Sequence, residues 1–166
     1  MKEKGVTNFM VNGGGDIYVS GLNKDSAQWV IGIEHPRDKN SLVAKLELSN
    51  LALGTSGDYE RFVIIDGKRY HHIFDTRTGY PAPLSESASA IAPTAEEAVI
   101  LSKYLFIIGS EKYIDFMKES GVEGVIVDSS GNVSHDPKTN ILTIKTESNP
   151  YKPINVFKCL LCFLKN

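Results

Sequence analysis

The chain has 166 residues, of which 42% are hydrophobic and 23% are charged, and its formal net charge is −2. This length and composition predict a single globular domain, and the near-neutral charge excludes a broad basic surface for nucleic acid. Because of this charge, we predict no nucleic-acid partner. No apolar run is long enough for a membrane-spanning helix, so we also predict no membrane span.

The first half of the chain predicts a series of short strands. Apolar residues that alternate with polar ones, or that are β-branched, mark each of them. The strands cover Phe9 to Val11, Ile17 to Val19, Trp29 to Ile33 and Ser41 to Leu48. A hairpin follows, in which Arg61 to Ile65 and Lys68 to Ile73 flank the favoured turn Asp66-Gly67.

The clearest helix comes after a further short strand, Ser87 to Ala92, and runs from Thr94 to Ile108. Thr94 and Glu97 have the spacing of a capping box, and an apolar stripe follows them at helical spacing. A second helix is predicted over Glu111 to Glu119, ending before a glycine.

The last part of the chain predicts a closing hairpin and a terminal helix. Gly124 to Val127 and Ile141 to Lys145 are the two strands of the hairpin, with a turn at Ser129 to Asn132. Pro153 to Leu164 predicts the helix. This order of elements favours an α+β fold: a mainly antiparallel sheet with two or three helices packed on it.

Two cysteines, Cys159 and Cys162, lie in the predicted terminal helix. Their spacing is compatible with a redox pair or with half of a zinc site. A zinc site needs about four ligands, and the chain has no second cysteine pair. We therefore interpret them as two small apolar residues of that helix.

A glycine-rich turn is the first candidate site. Asn12, Gly13, Gly14, Gly15 and Asp16 lie between two predicted strands. Three consecutive glycines expose backbone N–H groups and allow positive φ, so the turn could surround an anion or let a flat ring touch the main chain. A flexible or bulged turn without a ligand is the alternative. The turn is not a dinucleotide fingerprint, because no helix follows it.

The second candidate site is the polar segment from Gly54 to Phe62. Thr55, Ser56 and Gly57 offer hydroxyls and amides of the kind that bind phosphate. Asp58 and Arg61 could hold the segment or reach a ligand, and arginine is suited to two-pronged contact with phosphate. The alternative is a turn that caps itself and carries a surface ion pair.

The third candidate site follows eight residues later and contains paired histidines. His71 and His72 are adjacent on a predicted strand, so they face opposite sides and only one can point into a given site. Asp75 follows within a turn, and a histidine near a carboxylate is a candidate general base. Arg77 and Thr78 complete the turn. A purely structural role for the histidines is the alternative.

Together these segments resemble the C-terminal half of the FAD:protein FMN transferases, the ApbE-like flavin transferases. The strings Ser56 to Arg61 and His71 to Gly79 are the most specific part of the resemblance. The matching segments occur in the family's order over roughly residues 3 to 110, and they are Val11 to Ile17, Trp29 to Pro36, Ala52 to Phe62, Tyr70 to Pro81 and Ile91 to Ala95.

The resemblance implies an enzyme that binds FAD and magnesium and moves the FMN moiety to a threonine or serine hydroxyl of an acceptor protein, releasing AMP. It implies His72 as the residue nearest the acceptor hydroxyl, with Asp75 as the second catalytic candidate. The implied flavin-nucleotide site consists of Asn12, Gly13, Gly14, Gly15, Asp16, Thr55, Ser56, Gly57, Asp58, Arg61, His71, Arg77 and Thr78. Family members often work at the outer face of the cytoplasmic membrane, but this sequence shows no export signal, and we leave the compartment open.

The chain also departs from the family pattern. Val99 and Lys103 occupy the helix positions where the family carries the Asp and Thr that bind magnesium, so the resemblance predicts no metal ligand there. Thr76 replaces the usual proline, which is a minor change. We expect residues 1–150 to form the C-terminal half of a transferase domain that lacks its N-terminal half, followed by a divergent tail over 151–166. A truncated, non-catalytic protein that binds flavin nucleotides is the alternative function.

Overall fold

A computed structural model of the chain describes residues 1–139, 141–143 and 147–148. No helix among them is long and apolar enough to cross a membrane. The predicted terminal helix, with Cys159 and Cys162, and the predicted 151–166 tail lie outside the described residues.

A six-stranded antiparallel sheet forms the centre of the fold. Its strands lie in the order β1-β2-β5-β10-β11-β12. They are β1 Phe9–Gly13, β2 Asp16–Ser20, β5 Leu51–Gly57, β10 Ser85–Ala92, β11 Glu123–Asp128 and β12 Val133–His135. A short 3-10 helix, Lys2–Lys4, precedes β1.

A second sheet is built around β4. Its strands are β3 Trp29–Glu34, β4 Ser41–Leu48, β13 Ile141–Thr143 and β14 Glu147–Ser148, and β4 pairs antiparallel with each of the other three. Two small hairpins lie between β5 and β10. They are formed by β6 Phe62–Ile65 with β7 Lys68–His71 and by β8 Phe74–Asp75 with β9 Tyr80–Pro81.

One long helix, α1 Ala95–Ser120, covers one face of the six-stranded sheet. Thr94 caps its N-terminus as predicted, because the Thr94 hydroxyl accepts a hydrogen bond from the Glu97 amide at 3.2 Å. The two helices predicted within this region form a single element, in which Gly109 leaves helical geometry with φ 75° and ψ 174°. The glycine absorbs the break without a connecting loop, so the helix count is lower than predicted while the α+β class is confirmed.

The six-stranded sheet is packed on both faces, which gives three layers. Successive residues of a strand point to opposite faces. On β11, Ile126 packs under the helix with Leu105 and Phe106. Its neighbours Val125 and Val127 pack against the second sheet, in a core that includes Ile31, Ile33, Val43, Leu46 and Leu53.

The pairing predicted for the closing hairpin was wrong, and several of the observed strands were not predicted. The hairpin partner of β11 is β12, and β13 instead pairs with β4 across the second sheet. β12 is short and polar (Val133, Ser134, His135), so it carries no alternating apolar signal. β5 was not predicted as a strand, because Gly54, Thr55, Ser56 and Gly57 are small and polar residues typical of turns.

Candidate functional site

The glycine-rich segment forms the tight turn between β1 and β2. Gly13 pairs with Asp16, so the turn has two residues, Gly14 and Gly15, with φ of 74° and 104°. Positive φ at both positions is the geometry of a favoured hairpin turn, and glycine adopts it without steric cost. The Asn12 side-chain oxygen accepts a hydrogen bond from the Gly15 amide at 2.8 Å. That amide therefore already has a partner within the turn.

Asp16 connects this turn to the central strand. Its Oδ1 accepts a hydrogen bond from the Thr55 amide at 3.2 Å, across 39 residues of sequence. The turn and the second candidate segment, which sequence analysis treated separately, are thereby joined. This contact places Asn12, Gly14, Gly15 and Thr55 around one small cavity.

The cavity has a volume of about 210 Å³ and a polar lining. Besides the turn and Thr55, its polar lining comes from Glu34, Tyr59 and Glu60, and no lysine or arginine lines it. Its apolar lining comes from Ile17, Ile33 and Leu53. Two carboxylates attract hydroxyl or amino groups and repel a phosphate. A hydroxyl-bearing or amino-bearing part of a ligand therefore fits this cavity better than a phosphate does.

Tyr59 contributes a neutral phenol to the cavity. Burial is the main reason why its pKa rises from 10.0 to about 12, and the neighbouring Glu60 carboxylate adds to the rise. Its ring lies on Gly57, where an added Cβ would come within 2.3 Å of the ring. Gly57 thus serves the packing of Tyr59, and the phenol remains protonated at neutral pH.

The hydroxyls of Thr55 and Ser56 lie on opposite faces of β5. The Thr55 hydroxyl lies 2.9 Å from the Ser89 hydroxyl on the cavity side. The buried Ser56 hydroxyl lies 2.9 Å from the Ser102 hydroxyl of α1 on the helix side. The structure therefore does not bring the two hydroxyls together around one phosphate, and Ser56 ties the helix to the sheet.

Asp58 lies in an ion cluster that sequence analysis did not find. Arg37 donates two hydrogen bonds to the buried Asp58 carboxylate, each at 2.6 Å, and its guanidinium lies 3.0 Å from Glu86. Arg69 approaches Asp58 at 3.7 Å. The pKa of Arg37 is raised, mainly by its hydrogen bond to Asp58. Because Arg37 precedes Asp58 by 21 residues, no local spacing signals this pair.

Arg61 is not the partner of Asp58. Its side chain is exposed, and its backbone carbonyl accepts a hydrogen bond from the His72 amide at 3.1 Å. The His72 Nδ1 lies 3.3 Å from the same carbonyl, which holds the exposed imidazole beside β6.

His71 and His72 differ sharply in environment. His71 is only 7% exposed, and its ring meets the Phe106 ring edge-on at 5.4 Å. Its Nδ1 accepts a hydrogen bond from the Ile73 amide at 3.3 Å, so its Nε2 carries the proton and donates to the Ala82 carbonyl at 3.1 Å. Burial lowers the pKa of His71, which favours this neutral tautomer. His71 therefore has a structural position, and His72 is the accessible imidazole.

Asp75 is bound by Arg77 and by neither histidine among the described residues. Arg77 Nε lies 2.9 Å from Oδ1, Nη2 lies 2.7 Å from Oδ2, and the Arg77 amide donates at 3.0 Å. These hydrogen bonds hold the pKa of Asp75 at about 2. The Thr78 hydroxyl donates to the Asp75 carbonyl at 3.4 Å and closes the turn. Asp75 is thus ionised at neutral pH and serves to shape the segment that follows His72.

The face of α1 where the family carries its magnesium ligands has no suitable ligand side chain at positions 99 and 103. Val99 is half-buried and Lys103 is exposed. Within the described ranges, no group of three or more His, Cys, Asp or Glu residues is placed to hold a metal ion. A valine side chain has no ligand atom and an ammonium repels a cation, so these residues do not fit magnesium.

Comparison with solved structures first identifies the class of protein. The fold matches the crystal structure of the ApbE protein from Thermotoga maritima with a TM-score of 0.73 at 35% identity, over 78% of this chain and 43% of that one. It also matches the flavin transferase ApbE from Vibrio cholerae with a TM-score of 0.68 at 30% identity, over 81% and 43% of the two chains. An antiparallel sheet covered by one long helix is, in this topology, a flavin transferase fold.

The sequence comparisons then identify the family. The ApbE family model matches residues 1–134, and the chain belongs to the ApbE family. The FAD:protein FMN transferase of Escherichia coli K12 is 31% identical over 134 residues, which are 80% of this chain and 38% of the relative. The chain thus spans less than half the length of the relatives it matches.

Proposed function

We propose that this chain forms the C-terminal part of a FAD:protein FMN transferase. The observation that supports the proposal is the continuous match of residues 1–134 to the ApbE family, together with the shared fold. In this reaction an acceptor hydroxyl oxygen bonds to the phosphorus of the FMN moiety, and the bond from that phosphorus to the AMP moiety breaks. The hydroxyl loses its proton to a base, and AMP leaves with the electron pair.

We assign the proton acceptor to His72. It is the exposed histidine of the pair, and the Arg61 carbonyl fixes its ring beside the β6–β7 hairpin. His71 uses both ring nitrogens for backbone contacts and is buried. Asp75 is held by Arg77 and does not contact His72. It affects the position of His72 only by fixing the turn that follows this residue.

We assign the small cavity to an uncharged part of FAD. Its carboxylates and the protonated Tyr59 phenol suit the hydroxyls or the amino group of the nucleotide. The chain alone offers this cavity, but it does not include the contacts that the rest of the relatives' length would add. We therefore expect the chain alone to bind FAD only weakly. Losing half of the contacts of a nucleotide of this size should cost several kcal/mol of affinity.

We further propose that this chain supplies no magnesium ligand at positions 99 and 103, because the side chains there do not fit the ion. The expected result is that magnesium leaves the FAD affinity of the chain unchanged. The double variant Val99→Asp with Lys103→Thr is the matched comparison, since it introduces oxygen ligands on the same helix face. Tighter FAD binding of the unaltered chain with magnesium would contradict this proposal.

The test of the transferase proposal uses an Escherichia coli strain that lacks its own FAD:protein FMN transferase. The chain is expressed there alone and together with the N-terminal part of the Thermotoga maritima ApbE protein. Fluorescent, covalently flavinylated bands on denaturing gels are expected only for the combination, and His72→Ala should abolish them. Binding of FAD without any flavinylation would favour the non-catalytic alternative. A greater loss from His71→Ala, in protein of equal abundance, would reverse the assignment of the two histidines.

A further inference from the structure

His72 and Arg61 meet at the open end of the β6–β7 hairpin. The Arg61 carbonyl accepts a hydrogen bond from the His72 amide at 3.1 Å, and the His72 Nδ1 lies 3.3 Å from the same oxygen. A carbonyl oxygen can only accept a hydrogen bond, so the ring nitrogen that faces it carries the proton. In the neutral imidazole this leaves Nε2 unprotonated, with its lone pair free to take a proton.

His71, the residue before it, holds the opposite tautomer. Its Nδ1 accepts a hydrogen bond from the Ile73 amide, and its Nε2 donates one to the Ala82 carbonyl. Successive residues of a strand point to opposite faces, so the two rings meet different main-chain groups. The two adjacent histidines therefore carry their protons on different ring nitrogens, and His71 provides an internal reference for any measurement at His72.

Arg69 binds both ends of the short connection that contains the Arg61 carbonyl. Its guanidinium lies over the Phe62 ring, 3.9 Å from the centroid, and Phe62 directly follows Arg61. Its Nη1 donates a hydrogen bond to the Asp58 carbonyl at 3.4 Å, and its Nε lies 3.7 Å from Asp58 Oδ2. The residues from 58 to 61 lie between β5 and β6 and belong to neither strand. One guanidinium thus holds this connection at its two ends.

Strand register explains how Arg69 reaches both partners. Arg69 pairs with Ile64 on β6, and Phe62 is the diagonal neighbour two residues away on the same face. A planar guanidinium can stack on an aromatic ring and donate hydrogen bonds at the same time. A lysine ammonium is a compact point charge and could not replace it in this arrangement.

We propose that Arg69 is a positioning residue for His72. By binding Asp58 and Phe62 it fixes the Arg61 carbonyl, and this carbonyl keeps the proton of the neutral imidazole on Nδ1. The role of Nε2 rests on the transferase assignment above. There, Nε2 takes the proton of the acceptor hydroxyl, whose oxygen keeps the electron pair of its O–H bond and bonds to phosphorus. The imidazolium that forms still donates its Nδ1 hydrogen to the Arg61 carbonyl, so the ring stays in place during the transfer.

The first measurement is an NMR correlation of the imidazole nitrogens with the ring protons, in the full chain labelled with isotope-enriched histidine. Recorded well above the ordinary imidazole pKa of about 6.5, this spectrum shows which ring nitrogen carries the proton. The single variants His71→Gln and His72→Gln assign the two sets of signals. His72 should show a protonated Nδ1, and His71 should show a protonated Nε2. A protonated Nε2 at His72, or an average of both tautomers, would overturn the proposal.

Arg69→Ala tests the positioning role, and Lys68→Ala is the matched control. Lys68 precedes Arg69 on β7 and also places its cation over a ring, 5.4 Å from the Tyr70 centroid. Its strand partner, however, is Ile65 at the turn end of the hairpin. In Arg69→Ala the His72 signals should move to the average of two tautomers, whereas Lys68→Ala should leave them unchanged.

Two further observations separate a displaced ring from a damaged fold. The buried Asp58 carboxylate keeps its other guanidinium partner in Arg69→Ala, so it remains paired, and the His71 signals should stay as in the parent chain. Phe62→Leu removes the ring beneath the guanidinium and should move the His72 signals in the same direction. Unchanged His72 signals in both variants would refute the positioning role.

FMN transfer is scored separately, with the full chain and the N-terminal part of the Thermotoga maritima ApbE protein purified together. A general base contributes about a hundredfold or more to such a step, so Arg69→Ala should lower kcat about tenfold or more and change the KM for FAD less than about twofold. Lys68→Ala should change neither constant. Undiminished transfer by Arg69→Ala with averaged His72 signals would overturn the role of Nε2. The expected tautomers without any transfer by the parent pair would instead defeat the transferase assignment and leave the positioning of the ring by Arg69 standing.

Discussion

Gly54 is a position where one added methyl group should damage the fold. It lies on β5 beneath the first turns of α1, and an added Cβ would lie 2.6 Å from the carbonyl carbon and oxygen of Ala98 and 2.7 Å from the Val99 nitrogen. These are helix backbone atoms, which no rotamer change can move. Ordinary contact needs about 3.4 Å, so the helix would have to retreat by roughly 0.8 Å.

That displacement would loosen the packing of α1 on β5 and β10, where Ala52, Ala92 and Ala98 are buried. Gaps of this size remove about a quarter to a half of the attractive energy of each dispersion contact. Overpacking typically lowers stability by about 1–3 kcal/mol. We expect Gly54→Ala to lower the free energy of unfolding by about 3 kcal/mol. With an m-value of about 2 kcal/mol/M, the urea midpoint should fall by about 1.5 M.

Urea unfolding, followed by the fluorescence of Trp29 and by circular dichroism, measures this effect. Gly13→Ala is the matched control, because the atom nearest to its added Cβ is the Asp16 oxygen at 3.9 Å. The control should stay within about 0.5 kcal/mol of the parent chain. Equal midpoints for Gly54→Ala and Gly13→Ala would refute the close approach of helix and sheet.

Three further predictions concern charged groups. Arg37→Ala removes both hydrogen bonds to the buried Asp58 carboxylate. Because the Arg37 side chain is 34% exposed, the change should lower the free energy of unfolding in urea by only about 1–3 kcal/mol. An unchanged free energy of unfolding would show that water replaces the guanidinium. Arg77→Gln should raise the pKa of Asp75 from about 2 toward 3.8 in a carboxyl NMR titration, because the main cause of the low value is lost. In the parent chain, the stabilisation by ionised Asp75 is full above pH 3.8 and is lost as the pH falls through about 2. Burial lowers the pKa of His71 below 6.5, so the unfolded chain binds its proton more tightly and stability falls as the pH drops below 6.5. His71→Gln should therefore lose less stability than the parent chain between about pH 7 and pH 5, and parallel pH profiles would contradict this.

Sequence alone was sufficient wherever the structure depends on neighbours along the chain. Turn chemistry placed the bend within Asn12 to Asp16, and in the structure Gly14 and Gly15 are the two turn residues. The capping pair of Thr94 and Glu97 placed the start of the helix. Ser41–Leu48 was predicted with its observed bounds, because its alternation of apolar residues is regular. The strings that carry the family resemblance are also local, and the family match confirmed them.

Tertiary structure decided what the small and charged residues do. In the sequence, Gly54 begins the polar segment that was a candidate ligand site, but in the fold it lies against the backbone of α1. Thr55 and Ser56 are adjacent hydroxyls in the sequence, yet strand geometry sends them to opposite faces with partners 34 and 46 residues away. Asp58 finds Arg37 because the β3–β4 turn and the end of β5 meet in space. Small, hydroxyl-bearing and charged side chains have weak local structural preferences, so their function depends on the residues that the sheet places next to them. Those partners are distant in the sequence, and no local pattern predicts them.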